Sequence, residues 1–370
     1  MRKLPALIVA TTVLAAVALP PASAARPAVQ AHTKPFGMAA DLGHTKPYGT
    51  AATATATAMA APVPVPAAVP VPAAVPAAAA PAVPASAAPA AAAVVAEPPT
   101  YDATPLKSYA AFDANQAIAV DSKYFYAVNN QTITKHDRRT GEPLLQFAGD
   151  KDGPIIHMDS GMVLGDKLYA VHSNYSAWPM ESSIEVFDTK TMRHVDSYSF
   201  GIYRGSLTWL DRHDGAWWAG FANYDDVSDE TGEPYGQTYN TQIVKLNDKF
   251  EPLASYTIPK QILDRFKPMS NSGGSWGPDG RLWLTGHDLG EAYVMELPTA
   301  GSELRWIATV NLPDVQGQGI AWDRSDPRHP TFWAISRPNR LVHTFLMPIG
   351  SIKTPTAKGW SVLGPGQFRK

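Results

Sequence analysis

Three histidines stand in short polar segments between strand-like runs of this sequence. His157 lies in KDGPIIHMDSG, His172 in HSNY and His287 in TGHD. An imidazole titrates near neutral pH, so each ring could act as a general acid or base. The rings could also bind a divalent metal, with Asp288 or Gln318 adding an oxygen ligand. Since no HxH or HExxH spacing selects the metal, the metal and plain hydrogen bonding between loops both stay open.

A single arginine in GIYRGS, Arg204, is the candidate for binding an anion. Its planar guanidinium matches the two oxygens of a carboxylate, although it could instead tie its loop to a neighbouring segment. We therefore expect His172 and His287 to be acid and base, with His157 as a further catalytic candidate. Arg204 would hold the carboxylate of the ligand.

Polar and aromatic side chains in the same segments are candidates for binding substrate. Aromatic rings there could stack on a sugar or another ring, or pack against their own loops. The candidates are Asn174, Tyr175, Asn223, Tyr224, Asn271, Asp288 and Gln318.

Several classes of function are disfavoured by what the chain lacks. It has no Ser-His-Asp elbow, Gly-rich phosphate loop or cofactor fingerprint, which argues against serine hydrolysis and nucleotide chemistry. The formal net charge is −2 with Lys and Arg scattered, which argues against nucleic acid as a partner. The absence of cysteine excludes disulfides, so a packed core must supply the stability.

A repeat predicts the elements that carry these residues. Five segments after residue 101 alternate polar and apolar residues around an Asp-Gly type turn and share one aromatic column, which is typical of β-hairpins. A second hairpin follows each segment, so each unit holds four strands at a spacing of about 40 to 50 residues. The sequence predicts an all-β fold, a β-propeller of five four-stranded blades, with a strand near residues 106–112 completing the fifth. The aromatic column is Tyr126, Tyr169, Trp218, Trp283 and Trp333.

Strand direction decides which loops share a face of the propeller. Strands alternate within a blade, so loops that precede the innermost strand and loops that follow the second strand emerge together. We call this the top face, and it collects every candidate named above. The short turns DSK, GDK, DRHDG, GPDG and DRSDPRHP fall on the opposite, bottom face and are predicted to be structural.

Residues 1–99 differ in composition from the predicted propeller that follows them. Residues 1–24 carry two basic residues, an apolar run and an Ala-Ser-Ala site, which predicts a signal peptide and a secreted or periplasmic protein without a membrane span after cleavage. Residues 25–50 are predicted to be a disordered tail with the duplication HTKPFG and HTKPYG. Residues 51–99 are predicted to be a disordered Ala/Pro-rich linker that is extended and semi-rigid. Residues 101–349 are the predicted propeller and 350–370 a C-terminal tail. The tail and linker could contact a component of the cell envelope.

A resemblance adds to these predictions. A set of motifs resembles bacterial secreted propeller proteins often named cycloisomerases: KYFYAVNN, DGPIIH, HSNY, GIYRGS, SNSGGSWGPDG, TGHD and GQGIAWDRSD. The resemblance covers nearly all of the region from Asn115 to Asp326. That group is distantly similar to carboxymuconate-lactonising propeller enzymes, which interconvert a muconate and its lactone without a cofactor. Those enzymes have seven blades, so no catalytic residue is carried over. The resemblance implies the fold and suggests lactone or lyase chemistry.

Two functions follow from the residues and the resemblance together. In the first, the protein binds a small or oligomeric anionic ligand on the top face and acts as a cycloisomerase, lyase or lactonase. In the second, it is a non-catalytic propeller of the cell envelope that binds a glycan or a protein. The aromatic top loops and the linker would suffice for the second.

Overall fold

The structure is a computed structural model that describes residues 97–202, 204–227, 231–234 and 236–355. The predicted signal peptide, the tail with its duplication, most of the Ala/Pro-rich linker and residues 356–370 lie outside this range. In the described part of the chain, no helix is both long and apolar enough to cross a membrane.

The described chain is built almost entirely from β-strands. In order, they are β1 (Thr100–Asp102), β2 (Thr104–Ala110), β3 (Ala117–Val120), β4 (Tyr124–Val128), β5 (Thr132–Asp137), β6 (Pro143–Ala148), β7 (His157–Leu164), β8 (Lys167–Ser173), β9 (Ser182–Asp188), β10 (His194–Gly201), β11 (Ser206–His213), β12 (Ala216–Ala222), β13 (Gln242–Leu246), β14 (Pro252–Thr257), β15 (Gly273–Trp276), β16 (Leu282–Thr285), β17 (Glu291–Glu296), β18 (Arg305–Asn311), β19 (Ala321–Asp323), β20 (Thr331–Ser336) and β21 (Leu341–Leu346). One α-helix, α1 (Lys260–Phe266), and 3-10 turns at Thr238–Asn240 and Ile349–Ser351 complete the elements.

Five antiparallel sheets form the five predicted blades. Blade 1 is β3 to β6, blade 2 is β7 to β10, and blade 3 is β11 to β14. Blade 4 is β15 to β18, and blade 5 is β19 to β21 together with β2. The innermost strands contact one another around a ring, including β19 against β3, so the circle is closed.

The N-terminal strands close the ring and extend one blade. β2 pairs antiparallel with β21, with Ser108 opposite His343, which confirms the predicted completion of blade 5. This pairing covers the outer edge of β21 and makes the N-terminal strand the outer strand of the last blade. β1 pairs parallel with β18 and gives blade 4 a fifth strand, which the sequence analysis did not predict.

The repeated aromatic column packs the blades against each other. Trp333 of blade 5 lies 5.6 Å, between ring centroids, from Phe125 of blade 1. Trp218 of blade 3 lies 4.8 Å from Trp276 of blade 4. Burying such rings removes a large apolar area from water at each contact. Five of the buried clusters in the described residues each join two successive blades. The sequence repeat therefore repeats the contact between one blade and the next.

The centre of the ring is nearly filled. A Cβ added to Gly274 on β15 would lie 2.2 Å from the Trp209 ring, so only glycine fits this close approach. The axial cavity left between the inner strands has a volume of about 30 Å³, which holds water and nothing larger. A ligand larger than water therefore does not fit between the inner strands.

The bottom face is held by buried carboxylates, in keeping with the predicted structural role of its turns. Asp211 accepts hydrogen bonds from Ser275 Oγ at 2.9 Å and from the Trp276 amide at 2.7 Å. Arg324 donates to the same carboxylate at 2.7 Å. These contacts join blades 3, 4 and 5. Both carboxylate oxygens of Asp211 are therefore occupied by hydrogen bonds within the fold.

Candidate functional site

The three candidate histidines lie on the top face. β7 begins at His157, β8 ends beside His172, and His287 follows the end of β16. These are the positions before an inner strand and after second strands that the topology assigns to one face. Within the described residues, no hydrogen bond joins any two of the three rings.

His157 is paired with an acidic side chain of its own strand. Its Nε2 lies 3.0 Å from Oδ1 of Asp159, and both side chains are largely buried. Burial lowers the pKa of His157, but the adjacent Asp159 carboxylate outweighs it and the pKa is raised above the usual value. Since Asp159 fixes the proton on Nε2, Nδ1 is the nitrogen left to exchange a proton with a ligand.

Buried hydroxyls continue from this pair toward blade 3. Ser173 Oγ donates to Asp159 Oδ2 at 3.2 Å, and Ser206 Oγ donates to Ser173 Oγ at 2.8 Å. The Tyr224 hydroxyl interacts with Ser206, and burial raises the pKa of Tyr224, so it stays protonated. This chain holds the Asp159 carboxylate in place without supplying a second charge.

His172 uses both ring nitrogens inside the fold. The Ile156 amide donates to Nε2 at 3.1 Å, so the proton is on Nδ1, which donates to Ser183 Oγ at 3.1 Å. Burial lowers the pKa of His172 and favours the neutral ring. These bonds fix the residue that precedes His157 and favour a positioning role for His172 over the predicted acid–base role.

His287 lies beside an arginine that the sequence analysis missed. Its Nδ1 donates to Asp288 Oδ1 at 2.6 Å, and Arg337 Nη1 donates to its Nε2 at 3.2 Å. Arg337 Nε also donates to Asn115 Oδ1 at 3.2 Å. Arg337 follows the second strand of blade 5, the position that His287 takes in blade 4, so completing the repeat alignment would have found it.

Arg337 is a half-buried cation with neutral hydrogen-bond partners. Among the described residues it forms no ion pair, and its Nη2 has no hydrogen-bond partner. Burial lowers the pKa of Arg337 and Arg340 lowers it further, while Asp288 and Asp159 oppose this. The charge of Arg337 also lowers the pKa of His157, so the two groups lie close enough to interact electrostatically.

Arg204 lies in a separate cleft of blade 3. Its Nη1 donates to Gln242 Oε1 at 3.2 Å, and its backbone oxygen accepts from Asn223 Nδ2 at 3.2 Å. Trp178 and Met180 from the β8–β9 loop line the same cleft, which has a volume of about 210 Å³. Of the predicted residues, the structure therefore brings Arg204 and Asn223 together in this cleft.

Two further candidates, Asn271 and Asn174, have side chains that form hydrogen bonds within the fold. Asn271 accepts from Trp209 Nε1 at 2.6 Å and donates to the oxygens of Gly273 and Thr285. Asn174 donates to the Pro179 oxygen and accepts from the Glu181 amide. These side chains shape the top face without presenting free polar atoms.

Two further candidates flank the axis. Gln318 donates to the His287 oxygen at 3.3 Å and so supports that histidine. The Tyr175 ring packs between His157, at 5.4 Å, and Tyr224, at 5.2 Å between centroids.

The predicted alternative of a metal site was tested on the geometry of the side chains. In the described residues, no group of three or more His, Asp or Glu side chains lies close enough to hold a metal ion. His172 in addition has no ring nitrogen left for a metal. The residues present therefore do not fit the divalent metal that the sequence left open.

No protein-family model and no curated protein sequence matches the chain. Among solved structures, it is similar to the PQQ-bound aldose sugar dehydrogenase of Streptomyces coelicolor, with 12% identity over 65% of this chain and 80% of that chain and a TM-score of 0.39. It is similar to virginiamycin B lyase of Staphylococcus aureus, with 12% identity over 65% and 74% and a TM-score of 0.35. A luciferin-regenerating enzyme gives 10% identity over 64% and 91% and a TM-score of 0.39. None of these activities is transferred to this chain.

Proposed function

We propose that this propeller binds an anionic, carboxylate-bearing ligand at the top of its axis, between Arg337 and the His157–Asp159 pair. The observation that carries the proposal is the half-buried Arg337 guanidinium, which has no carboxylate partner in the described residues. A desolvated cation is costly unless an anion compensates it, and a ligand carboxylate is the matching group.

The chemistry proposed at this site is proton transfer next to the bound carboxylate. In one direction, His157 Nδ1 takes a proton from the carbon beside the carboxylate while the carbon–oxygen bond at the next carbon breaks. Its electron pair leaves with the oxygen, as a carboxylate from a lactone or as an alkoxide that takes a proton from water in other β-eliminations. In the other, the oxygen adds across the double bond and His157 returns the proton. Both directions conserve atoms and need no cofactor, as in lactonisation, lactone opening by elimination and β-elimination. This is the cycloisomerase or lyase class that the motifs suggest.

Each residue has a defined role in this proposal. Asp159 orients His157 and raises its pKa, while Arg337 holds the carboxylate and His287 with Asp288 orients Arg337. His172 positions the chain before β7. Secretion to the periplasm or medium stays a prediction of the N-terminal sequence and fits a ligand met outside the cytoplasm.

A non-catalytic role in glycan or protein binding is the second candidate. It is favoured by the full use of Asn174, Asn271 and His172 in loop hydrogen bonds, since a rigid top face suits recognition. Acid–base catalysis would make His157 essential for turnover, whereas pure recognition would not produce turnover at all.

The test compares purified variants on a panel of lactones, unsaturated dicarboxylates and uronates. Arg337→Ala should weaken binding by about 10- to 100-fold, the range expected for a charge-assisted pair. Arg193→Ala is the matched control, because Arg193 is an exposed arginine of the bottom face. His157→Gln should abolish turnover and keep the part of the binding that depends on Arg337. Equal affinity in Arg337→Ala and the parent would overturn the anion site.

A further inference from the structure

The side-chain amide of Asn115 holds Arg337 from the neighbouring blade. Asn115 is buried in the loop between β2 and β3, just before the inner strand of blade 1. Its Oδ1 accepts a hydrogen bond from Arg337 Nε at 3.2 Å. The half-buried guanidinium is therefore held in place by a group that carries no charge.

Two groups that can only donate determine which way this amide points. The Asn130 backbone amide donates to Asn129 Oδ1 at 2.9 Å, so the atom of Asn129 at this position must be its oxygen. Asn115 Nδ2 donates to the same oxygen at 2.9 Å, which leaves Asn115 Oδ1 for Arg337. Arginine also only donates, so both ends of this chain of hydrogen bonds require the same orientation of Asn115.

A buried carboxylate stands behind Asn129. Asp113 accepts hydrogen bonds from Gln146 Nε2 at 2.8 Å and from Thr134 Oγ1. Burial raises the pKa of Asp113, but its hydrogen bonds, including one with Asn129, outweigh this and hold the pKa below the usual value. The negative charge of this network is therefore two amides away from Arg337.

An amide at position 115 leaves the charge of Arg337 for a ligand. Aspartate has nearly the shape of asparagine and would accept the same hydrogen bond, but it would also form an ion pair with the guanidinium. The bottom face shows this second arrangement, since Arg324 lies 2.7 Å from Oδ1 of Asp211. The two faces thus treat a partly buried arginine differently, and only the pairing with Asn115 leaves the cation uncompensated.

We infer that Asn115 is a specificity-determining residue, which positions Arg337 without neutralising it and so makes the site select a carboxylate over the neutral form of the same ligand. This selectivity rests on the proposed function, in which Arg337 holds the ligand carboxylate. A purely structural role for Asn115 predicts a different order of effects. Removal of the side chain would then do more harm than a change of its charge.

The experiment compares each unsaturated dicarboxylate and uronate of the panel with its full methyl ester, which keeps the skeleton and loses the charge. In calorimetry on the full chain, the parent should bind the acid about 10- to 100-fold more tightly than the ester. Asn115→Asp should bring the two affinities to within about threefold, because Arg337 is then paired inside the fold. Asn115→Ala leaves Arg337 charged and less firmly held, so it should weaken both ligands and keep most of the preference for the acid.

Two further variants separate the contact from a general effect of charge. Asn240→Asp adds the same charge to an exposed residue of the top face in blade 3 and should change the preference by less than about twofold, since salt screens exposed charges. In the Asn115→Asp background, a further Arg337→Ala should weaken acid binding by less than about twofold, because the cation is already neutralised. A loss as large as that of Arg337→Ala in the parent would contradict the ion pair.

A measurement without ligand guards against misfolded variants. The Nε proton of Arg337, assigned in NMR spectra by its loss in Arg337→Ala, should exchange slowly in the parent and faster in Asn115→Ala. In Asn115→Asp it should exchange most slowly, because a charge-assisted hydrogen bond is stronger than a neutral one. Fast exchange in both variants would contradict the role of Asn115 in positioning Arg337.

The outcomes of the binding experiment are distinguishable. If Asn115→Asp keeps the preference of the parent for the acid, or if Asn115→Ala abolishes it, Asn115 does not determine selectivity, while Arg337-dependent binding by the parent still supports the proposed function. If no acid of the panel binds the parent in an Arg337-dependent way, the proposed function is overturned and the selectivity of Asn115 is overturned with it.

Discussion

Nε2 of His157 and Oδ1 of Asp159 lie 3.0 Å apart at the top of the propeller axis, two residues from each other on β7. Both residues belong to β7, so the pair is built into one element. A register irregularity between Met158 and Ser160 leaves Asp159 without a partner on β8. The histidine and its orienting carboxylate therefore depend on one short segment of backbone.

The first prediction concerns the pKa of His157. Replacing Asp159 with Asn removes the charge that raises this pKa and leaves the burial that lowers it. The pKa of His157 should move from above to below its usual value of about 6.5. Titration of the imidazole ring protons by NMR measures this directly, with His329 as an exposed reference ring. An unchanged pKa in Asp159→Asn would mean that another group sets it.

The second prediction concerns the pH dependence of anion binding. Protonated His157 adds a positive charge beside Arg337, so an anion binds the protonated form more tightly. Affinity should fall as pH rises through the raised pKa of His157, by at most about tenfold per pH unit for one proton. In His157→Gln this fall should disappear. Calorimetry between pH 5.5 and 8.5, chosen to span the raised pKa, separates the two profiles.

The architecture was predictable because each unit of the sequence repeats the same interface. Trp218, Trp283 and Trp333 fall at one position of the repeat, and that position faces the next blade. The closing strand could be predicted because a fifth unit with three strands leaves one edge open. The strand β1 could not be predicted, because three residues are too few to show alternating polar and apolar positions. Its parallel pairing also depends on where β18 ends.

The positions of the candidate residues on the fold were predictable, and their hydrogen-bond partners were less so. Strand alternation alone placed His157, His172 and His287 on one face. The use of both His172 nitrogens depends on the Ile156 amide and on the register that puts Ser183 opposite, neither of which the sequence shows. The position of Arg337 could have been predicted from the repeat, because Arg337 follows β20 as His287 follows β16.

The third prediction assigns His172 to stability. His172→Gln should destabilise the protein by about 1–3 kcal/mol at pH 7.5, because two buried hydrogen bonds are disturbed. The lowered pKa of His172 means that the unfolded chain binds its proton first. Wild-type stability from this group is therefore complete above about pH 6.5 and is lost as pH falls toward the folded pKa.

The pH dependence of the destabilisation caused by His172→Gln tests the same assignment. The cost of His172→Gln should be smaller at pH 5 than at pH 7.5, as measured by urea unfolding. His329→Gln, on the exposed surface, should cost less than about 0.5 kcal/mol at pH 7.5. A cost of His172→Gln that grows as the pH falls would contradict a buried neutral ring.

The fourth prediction concerns the contact that closes the ring. Trp333 on β20 packs against Tyr109 of the closing strand β2 at 5.8 Å and against Phe125 of blade 1 at 5.6 Å. Its ring therefore joins the last blade, the N-terminal strand and the first blade. Trp333→Ala should destabilise the protein by about 3–5 kcal/mol, since it leaves a cavity at both contacts.

Two controls separate closure from a general loss of apolar surface. Leu253→Ala, at a side chain that is 59% exposed, should cost less than about 0.5 kcal/mol. Trp333→Phe keeps an aromatic ring but loses the indole hydrogen bond to Thr331 Oγ1, so its cost should be intermediate. Because the closing strand is held by the same side chain, hydrogen exchange at β2 should rise more in Trp333→Ala than exchange at β9 of blade 2. Equal increases at both strands would show that closure does not depend on Trp333.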